Sequence, residues 1–125
     1  MVIHETLQSF FGGSPKQDRR NFYRYSLKEE GNNYTVCQSE EAEGSILHIS
    51  YNEDHEFRLV WSKDGNPIMT IQPIGVRSVI PVQDDEEESL EFILDRMPSR
   101  MIKVQLKPFF AVEMGIHWEV CDDCD

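Results

Sequence analysis

Asp84-Asp85-Glu86-Glu87-Glu88-Ser89-Leu90-Glu91-Phe92-Ile93-Leu94-Asp95-Arg96-Met97 joins five consecutive acids to an apolar set at Leu90, Ile93, Leu94 and Met97. That set has the i, i+3, i+4, i+7 spacing of one helix face. Asp85 and Glu88 stand in the relation of a capping pair, the acids suit the partial positive charge of a helix start, and Pro98 closes the pattern. The stretch therefore predicts a helix over 85–97, and with it an α+β rather than an all-β chain.

Around this stretch the dominant period is two. Tyr23, Tyr25 and Leu27 alternate with polar neighbours; Glu30 to Asn33 supply a turn, and Tyr34 and Val36 resume the apolar face. Leu47, Ile49 and Tyr51 follow, then Phe57, Leu59 and Trp61, with Asn52 to Asp54 between them. The Asp64-Gly65 pair between Trp61 and Ile68 is the clearest hairpin signal, because both residue types tolerate the positive φ of a tight turn. Met69 and Ile71 continue the pattern, and beyond Pro73 and Gly75 another strand runs through Val76, Val79, Ile80 and Val82. Downstream of Pro98, Ile102, Val104 and Leu106 define one strand, and Ile116, Trp118 and Val120 define another over 116–121. Between them, Phe109 to Met114 fit a strand, a buried loop or an exposed contact. Before all of these, Ile3, Leu7, Phe10 and Phe11 fall on one face of a short helix that ends at Gly12 and Gly13. The expected fold is a mostly antiparallel, strongly curved sheet or open barrel of about eight strands, with a short N-terminal helix and one helix near 85–97.

The 125 residues suit a single domain over 1–125, with a loop over 12–21 and a flexible tail over 122–125. Charge is the strongest compositional feature, a formal net of −11. Up to Ser62 there are 10 acids against 6 bases, and from Lys63 onward 13 against 6, so the excess is general and largest in the second half. A field of that sign disfavours direct binding to nucleic acid or to anionic membrane surfaces. No apolar run reaches the roughly 20 residues of a membrane span, and Met1 to Gln8 lack a signal-peptide pattern. Three cysteines, Cys37, Cys121 and Cys124, cannot all pair within one chain, so a reducing, cytoplasmic location is expected.

The residues available for chemistry are few. If 116–121 is a strand, His117, Glu119 and Cys121 share a face and Cys124 approaches it, a weak candidate set for zinc. The flanking Asp122, Asp123 and Asp125 oppose thiolate chemistry, and Cys-x-x-Cys at a chain end is a poor metal signature without a second pair. Neither a catalytic signature nor a cofactor motif is present, and oligomeric state is not legible. The strand aromatics Tyr23, Tyr25, Tyr34, Tyr51, Trp61 and Trp118 belong to a core, or to the wall of a ligand cavity under the 85–97 helix. In size, acidity and opening helix the chain is also similar to secretion chaperones, which implies a chaperone role. The reading that uses the most of the sequence is a non-enzymatic acidic protein that binds and occludes or escorts a basic protein partner. Asp84, Asp85, Glu86, Glu87, Glu88 and Glu91 are its candidate contact residues, and a subunit of a larger assembly is the further alternative. Protein purified without chelator is expected to carry only sub-stoichiometric zinc; stoichiometric zinc by elemental analysis would instead make His117, Cys121 and Cys124 its ligands.

Overall fold

Alternation of buried and more exposed side chains marks several strands in the computed structural model, which describes residues 2–17, 21–37, 43–96 and 100–116. One helix, α1 (Val2–Phe11), precedes nine strands: β1 (Lys16–Gln17), β2 (Phe22–Glu30), β3 (Asn33–Val36), β4 (Ser45–Asn52), β5 (Glu56–Lys63), β6 (Asn66–Gln83), β7 (Glu88–Leu94), β8 (Arg100–Lys107) and β9 (Ala111–Ile116). All pairings among the described residues are antiparallel, and the sheet runs β1-β2-β4-β5-β6-β7-β8-β9, with β3 on the same edge of β2 as β1.

Turn chemistry sets the hairpins where the sequence places them. Gly31 (φ 61°) stands in the β2–β3 turn, and Asp64 (φ 51°) with Gly65 (φ 84°) makes the β5–β6 turn. Two positive φ values in succession suit an Asp-Gly pair, and the Asp64 carboxylate adds a bond from the Gly44 N–H at 2.8 Å. α1 also forms as its apolar spacing requires. Ile3 and Leu7 are buried, Gly12 leaves the helix at φ 71°, and its N–H donates to the Gln8 carbonyl. The helix docks through aromatic contacts. His4 Nδ1 lies 2.7 Å from the Tyr51 hydroxyl, the Phe11 ring lies 4.7 Å from Tyr25, and the Tyr25 hydroxyl donates to the Gly13 carbonyl at 2.6 Å. Burial pushes the Tyr25 and Tyr51 hydroxyls above their ordinary pKa.

β6 is long because it serves two neighbours in turn. Its first part pairs with β5, from Lys63↔Asn66 to Glu56↔Gly75. Its second part pairs with β7, from Val76↔Leu94 to Gln83↔Glu88, with an irregularity between Val76 and Ser78. This exchange folds the sheet over itself. Phe57 of β5 and Phe92 of β7, both fully buried, stack with ring centroids 4.0 Å apart, and Trp61 meets Phe110 edge to face at 6.4 Å. The Glu29 carboxylate of β2 accepts the Phe110 N–H at 2.6 Å, so the two ends of the sheet approach without pairing.

Three expectations change. The segment 85–97 is no helix: 84–87 form a turn and Glu88–Leu94 form β7, so among the described residues α1 stands alone. Leu90, Phe92 and Leu94 also alternate with period two, and Ser89, Leu90, Phe92, Ile93 and Leu94 are all buried. Leu90, Phe92 and Leu94 join the core cluster, while Ser89 and Ile93 are buried on the other face, beside the part-exposed Glu91, between the flanking strands β6 and β8. Capping and dipole effects favour a helix by about 0.3–2 kcal/mol each. Burial contributes about 1.5–3 kcal/mol per large apolar side chain, and β7 also supplies the ladder partner of both β6 and β8. The strands expected on either side of Pro73 and Gly75 are one strand, β6. The 12–21 loop contains the short β1, paired to β2 at Lys16↔Arg24 and Gln17↔Tyr23. The last described strand is Ala111–Ile116, so the 109–114 segment is in most part a strand; the strand expected over 116–121 falls, beyond Ile116, outside the described residues, as do Trp118 and the expected tail. Phe92→Ala, which removes one ring of the central stack, is expected to destabilise the protein by about 3–5 kcal/mol in urea unfolding. A loss under about 1 kcal/mol would contradict the stacked core.

Candidate functional site

The acidic run sits at the tip of the β6–β7 hairpin, beyond the last paired residues Gln83 and Glu88. The acids build this turn themselves. Asp84 Oδ1 accepts the N–H groups of Glu86 at 2.8 Å and Glu87 at 2.7 Å, and the Asp84 N–H donates to the Glu87 carbonyl at 2.9 Å. Those two N–H bonds hold the Asp84 carboxyl below its ordinary pKa.

The remaining acids divide by the side of the sheet they reach. Glu87 lies 3.0 Å from the Lys103 ammonium, which is also 4.0 Å from Glu113. Glu91 stands directly opposite Lys103 in the β7–β8 ladder. The hydrogen bond to Glu87 is the main cause that raises the Lys103 pKa. Glu88 turns elsewhere, to Lys107 at 3.7 Å and the Gln83 amide at 3.4 Å. Burial first, and the neighbouring Glu88 carboxylate second, push the Tyr34 hydroxyl upward. Asp85 and Glu86 are exposed, and among the described residues neither has a cationic partner.

The expected contact residues are thus brought together unequally. Asp84 to Glu87 share one turn, with Glu88 and Glu91 on the strand behind it, and only Asp85 and Glu86 offer carboxylates with no structural task. Asp85 and Glu88 make no capping pair, since no helix starts there. The sequence reading missed Lys103 and Lys107 as counter-charges. Their alternation with Ile102, Val104 and Leu106 marks the outer face, but the neighbouring strand on that face depends on sheet order.

The weak zinc candidate His117, Cys121 and Cys124 lies outside the described residues. Among the described residues, no three His, Cys, Asp or Glu side chains are placed to hold a metal. Two of the three histidines there take part in packing: His4 meets Tyr51, and His48 Nδ1 lies 2.9 Å from Ser26 Oγ, while His55 is exposed between β4 and β5. A ligand cavity roofed by a helix over 85–97 does not arise, because that segment is a strand whose Phe92 fills the interior. Tyr25 and Tyr51 are buried, and Tyr23, Tyr34 and Trp61 pack partly buried against the same core. No helix among the described residues is long and apolar enough to cross a membrane.

The described residues thus form a curled antiparallel sheet with one docked helix and an acidic hairpin tip. Over residues 9–123 the chain matches the family described as "Protein of unknown function (DUF3979)", and it belongs to that family. No curated protein matches it. A solved chain from the "Contact-dependent growth inhibition toxin - immunity protein complex from Klebsiella pneumoniae 342" is similar in structure, with a TM-score of 0.57. The match covers 90% of this chain and 91% of that one at 16% sequence identity, a likeness of fold.

The Asp84 geometry carries a pH dependence. Its folded pKa lies below the ordinary 3.8, so its stabilising contribution is complete above 3.8 and is lost as pH falls through the depressed value. Asp84→Asn keeps an acceptor for the turn and removes the titration. The difference in urea midpoint between wild type and variant is expected to be constant from about pH 6 to 4 and to shrink toward pH 2. A difference independent of pH would contradict the assignment.

Proposed function

We propose that the chain is a non-enzymatic, immunity-type protein that binds a basic protein partner and occludes its working surface. The observation that carries this reading is the β6–β7 tip, where Asp84 fixes the turn and leaves Asp85 and Glu86 exposed on a chain of net charge −11. Because the Asp84 carboxylate and the Asp84–Glu87 backbone bond hold the turn, the backbone that presents Asp85 and Glu86 is ordered before a partner arrives, which lowers the ordering cost of binding. The likeness of fold to a chain from a toxin and immunity protein complex supports the same class of role. A basic partner would be drawn in by the overall field and oriented by the tip, so charge acts mainly on the association rate. The action is stoichiometric and takes place in the cytoplasm. A chaperone or assembly subunit would also engage protein, but would not need to silence its partner.

The structure selects the variant. Asp84 holds the turn, and Glu87 and Glu88 pair with lysines, so replacing them would mix folding with binding. Asp85→Asn with Glu86→Gln removes charge alone. A basic protein captured from the source cell at low salt is expected to associate with the double variant about threefold more slowly or worse. The deficit should vanish near 1 M salt, where the screening length is about 3 Å. The same partner, expressed alone, is expected to arrest growth, and co-expression of this chain is expected to restore it. An acidic partner, salt-independent capture or growth unaffected by the partner would each count against the reading.

A further inference from the structure

The other end of the β6–β7 hairpin holds a second feature, roughly 20 Å from the acidic tip by the length of β7. Where β6 passes from β5 to β7, a cleft of about 410 Å³ opens. Its walls are Pro73, Ile74 and Leu94, and its charged groups are Glu56, Asp95 and Arg96. Gly75 lies between the two carboxylates. It pairs with Glu56 across β5–β6, and its carbonyl accepts the Asp95 N–H at 3.0 Å on the opposite side. Neighbours across a sheet share a face, so the three residues form one row whose middle member has no side chain. A β-carbon at Gly75 would stand 3.5 Å from the Asp95 β-carbon. The missing side chain is what opens the gap.

One wall of the cleft is preorganised. Asn52 is 4% exposed; its Oδ1 accepts the N–H groups of Asp54 at 3.0 Å and Glu56 at 2.9 Å, and its Nδ2 donates to Glu56 Oε1 at 2.9 Å. His55, inside that loop, has a φ of 62°, a conformation that costs a non-glycine residue free energy and persists where its surroundings impose it. The loop thus holds the Glu56 carboxylate at the cleft before anything binds.

Apolar walls beneath two separated carboxylates suit an amphipathic cation. Its aliphatic stem would lie on Pro73, Ile74 and Leu94, and its head would donate to Glu56 and Asp95. A planar guanidinium presents donors on opposite edges and spans two carboxylates better than a compact ammonium. Two acids and Arg96 leave the cleft one negative charge, which an arriving cation neutralises. We propose that this cleft receives an arginine side chain of the partner protein. The proposal rests on the basic-partner reading for the source of the arginine, while the cleft itself is independent of the acidic tip.

The test is an amide chemical-shift titration of the full chain with N-acetyl-arginine amide, and with the uncharged isostere N-acetyl-citrulline amide. The arginine compound is expected to give saturable millimolar binding that moves Glu56, Gly75, Asp95 and Arg96, and the citrulline compound is not. Asp95→Asn is expected to weaken binding about tenfold, as loss of a charge-assisted bond should. Gly75→Val, which fills the gap without removing charge, is expected to abolish binding, and Arg96→Gln to strengthen it. Absence of saturable shifts, or equal binding of citrulline amide, overturns the proposal. Tighter binding of free arginine than of the blocked compound would overturn the partner side chain as occupant. Asp85→Asn with Glu86→Gln should bind the compound as wild type does. If that variant loses partner association while the cleft still binds, both readings gain; binding in the cleft with no basic partner found would sink the partner reading and, with it, a partner's arginine as the occupant, while the guanidinium selectivity of the cleft would stand.

Discussion

The structure depends on one exchange, the passage of β6 from β5 to β7 at Gly75 and Val76. A strand paired along its whole length on both edges would extend a flat sheet whose apolar face stays exposed. By changing neighbours, β6 lays β7 and β8 over β4 and β5, and Phe57 stacks on Phe92. α1 then covers apolar surface that the curl leaves open, with Ile3 and Leu7 reaching the same core. The Glu29 contact to Phe110 fastens the ends of the sheet without closing it. Both proposed contact regions are consequences of this exchange: the acidic tip ends the hairpin that β6 forms with β7, and the cleft lies where the exchange occurs.

Electrostatics in this chain has local and global parts that act differently. Locally, Asp84, Glu87 and Glu88 are absorbed by backbone N–H groups, Lys103 and Lys107. Pairs this exposed contribute little to stability, about 1 kcal/mol at most, and their effect is to fix where the carboxylates point. Globally, the charge of −11 creates a field that acts over distance and is screened by salt. An interaction protein that separates these parts can keep a rigid contact point while its field governs encounter.

Much of the fold was legible because period-two alternation and turn chemistry are local. The Asp64-Gly65 turn, the inward sets Tyr25 and Leu27 or Leu47, Ile49 and Tyr51, and the α1 face with its Gly12 stop all stand where the sequence puts them. The segment 88–94 was misread because its residues satisfy two periods together, 90/93/94 for a helix and 90/92/94 for a strand. Local capping signals favoured the first, and pairing with β6 and β8 decided for the second. The site was partly legible in the same sense. The acids were visible as a run, but their division into structural and exposed members needed Lys103 and Lys107 placed beside them. Nothing in the sequence joined Glu56, Gly75 and Asp95, which come from three different strands or their ends.

By itself, then, the sequence determined the sign and size of the field, the antiparallel hairpins and the amphipathic first helix, since each follows from composition or from neighbours a few residues apart. Tertiary structure alone decided that the acidic run is a hairpin tip, which carboxylates remain exposed, and that a cleft opens at the turn of β6. Those outcomes depend on which strands lie side by side, and contacts between residues distant in sequence settle that order where two local periods compete.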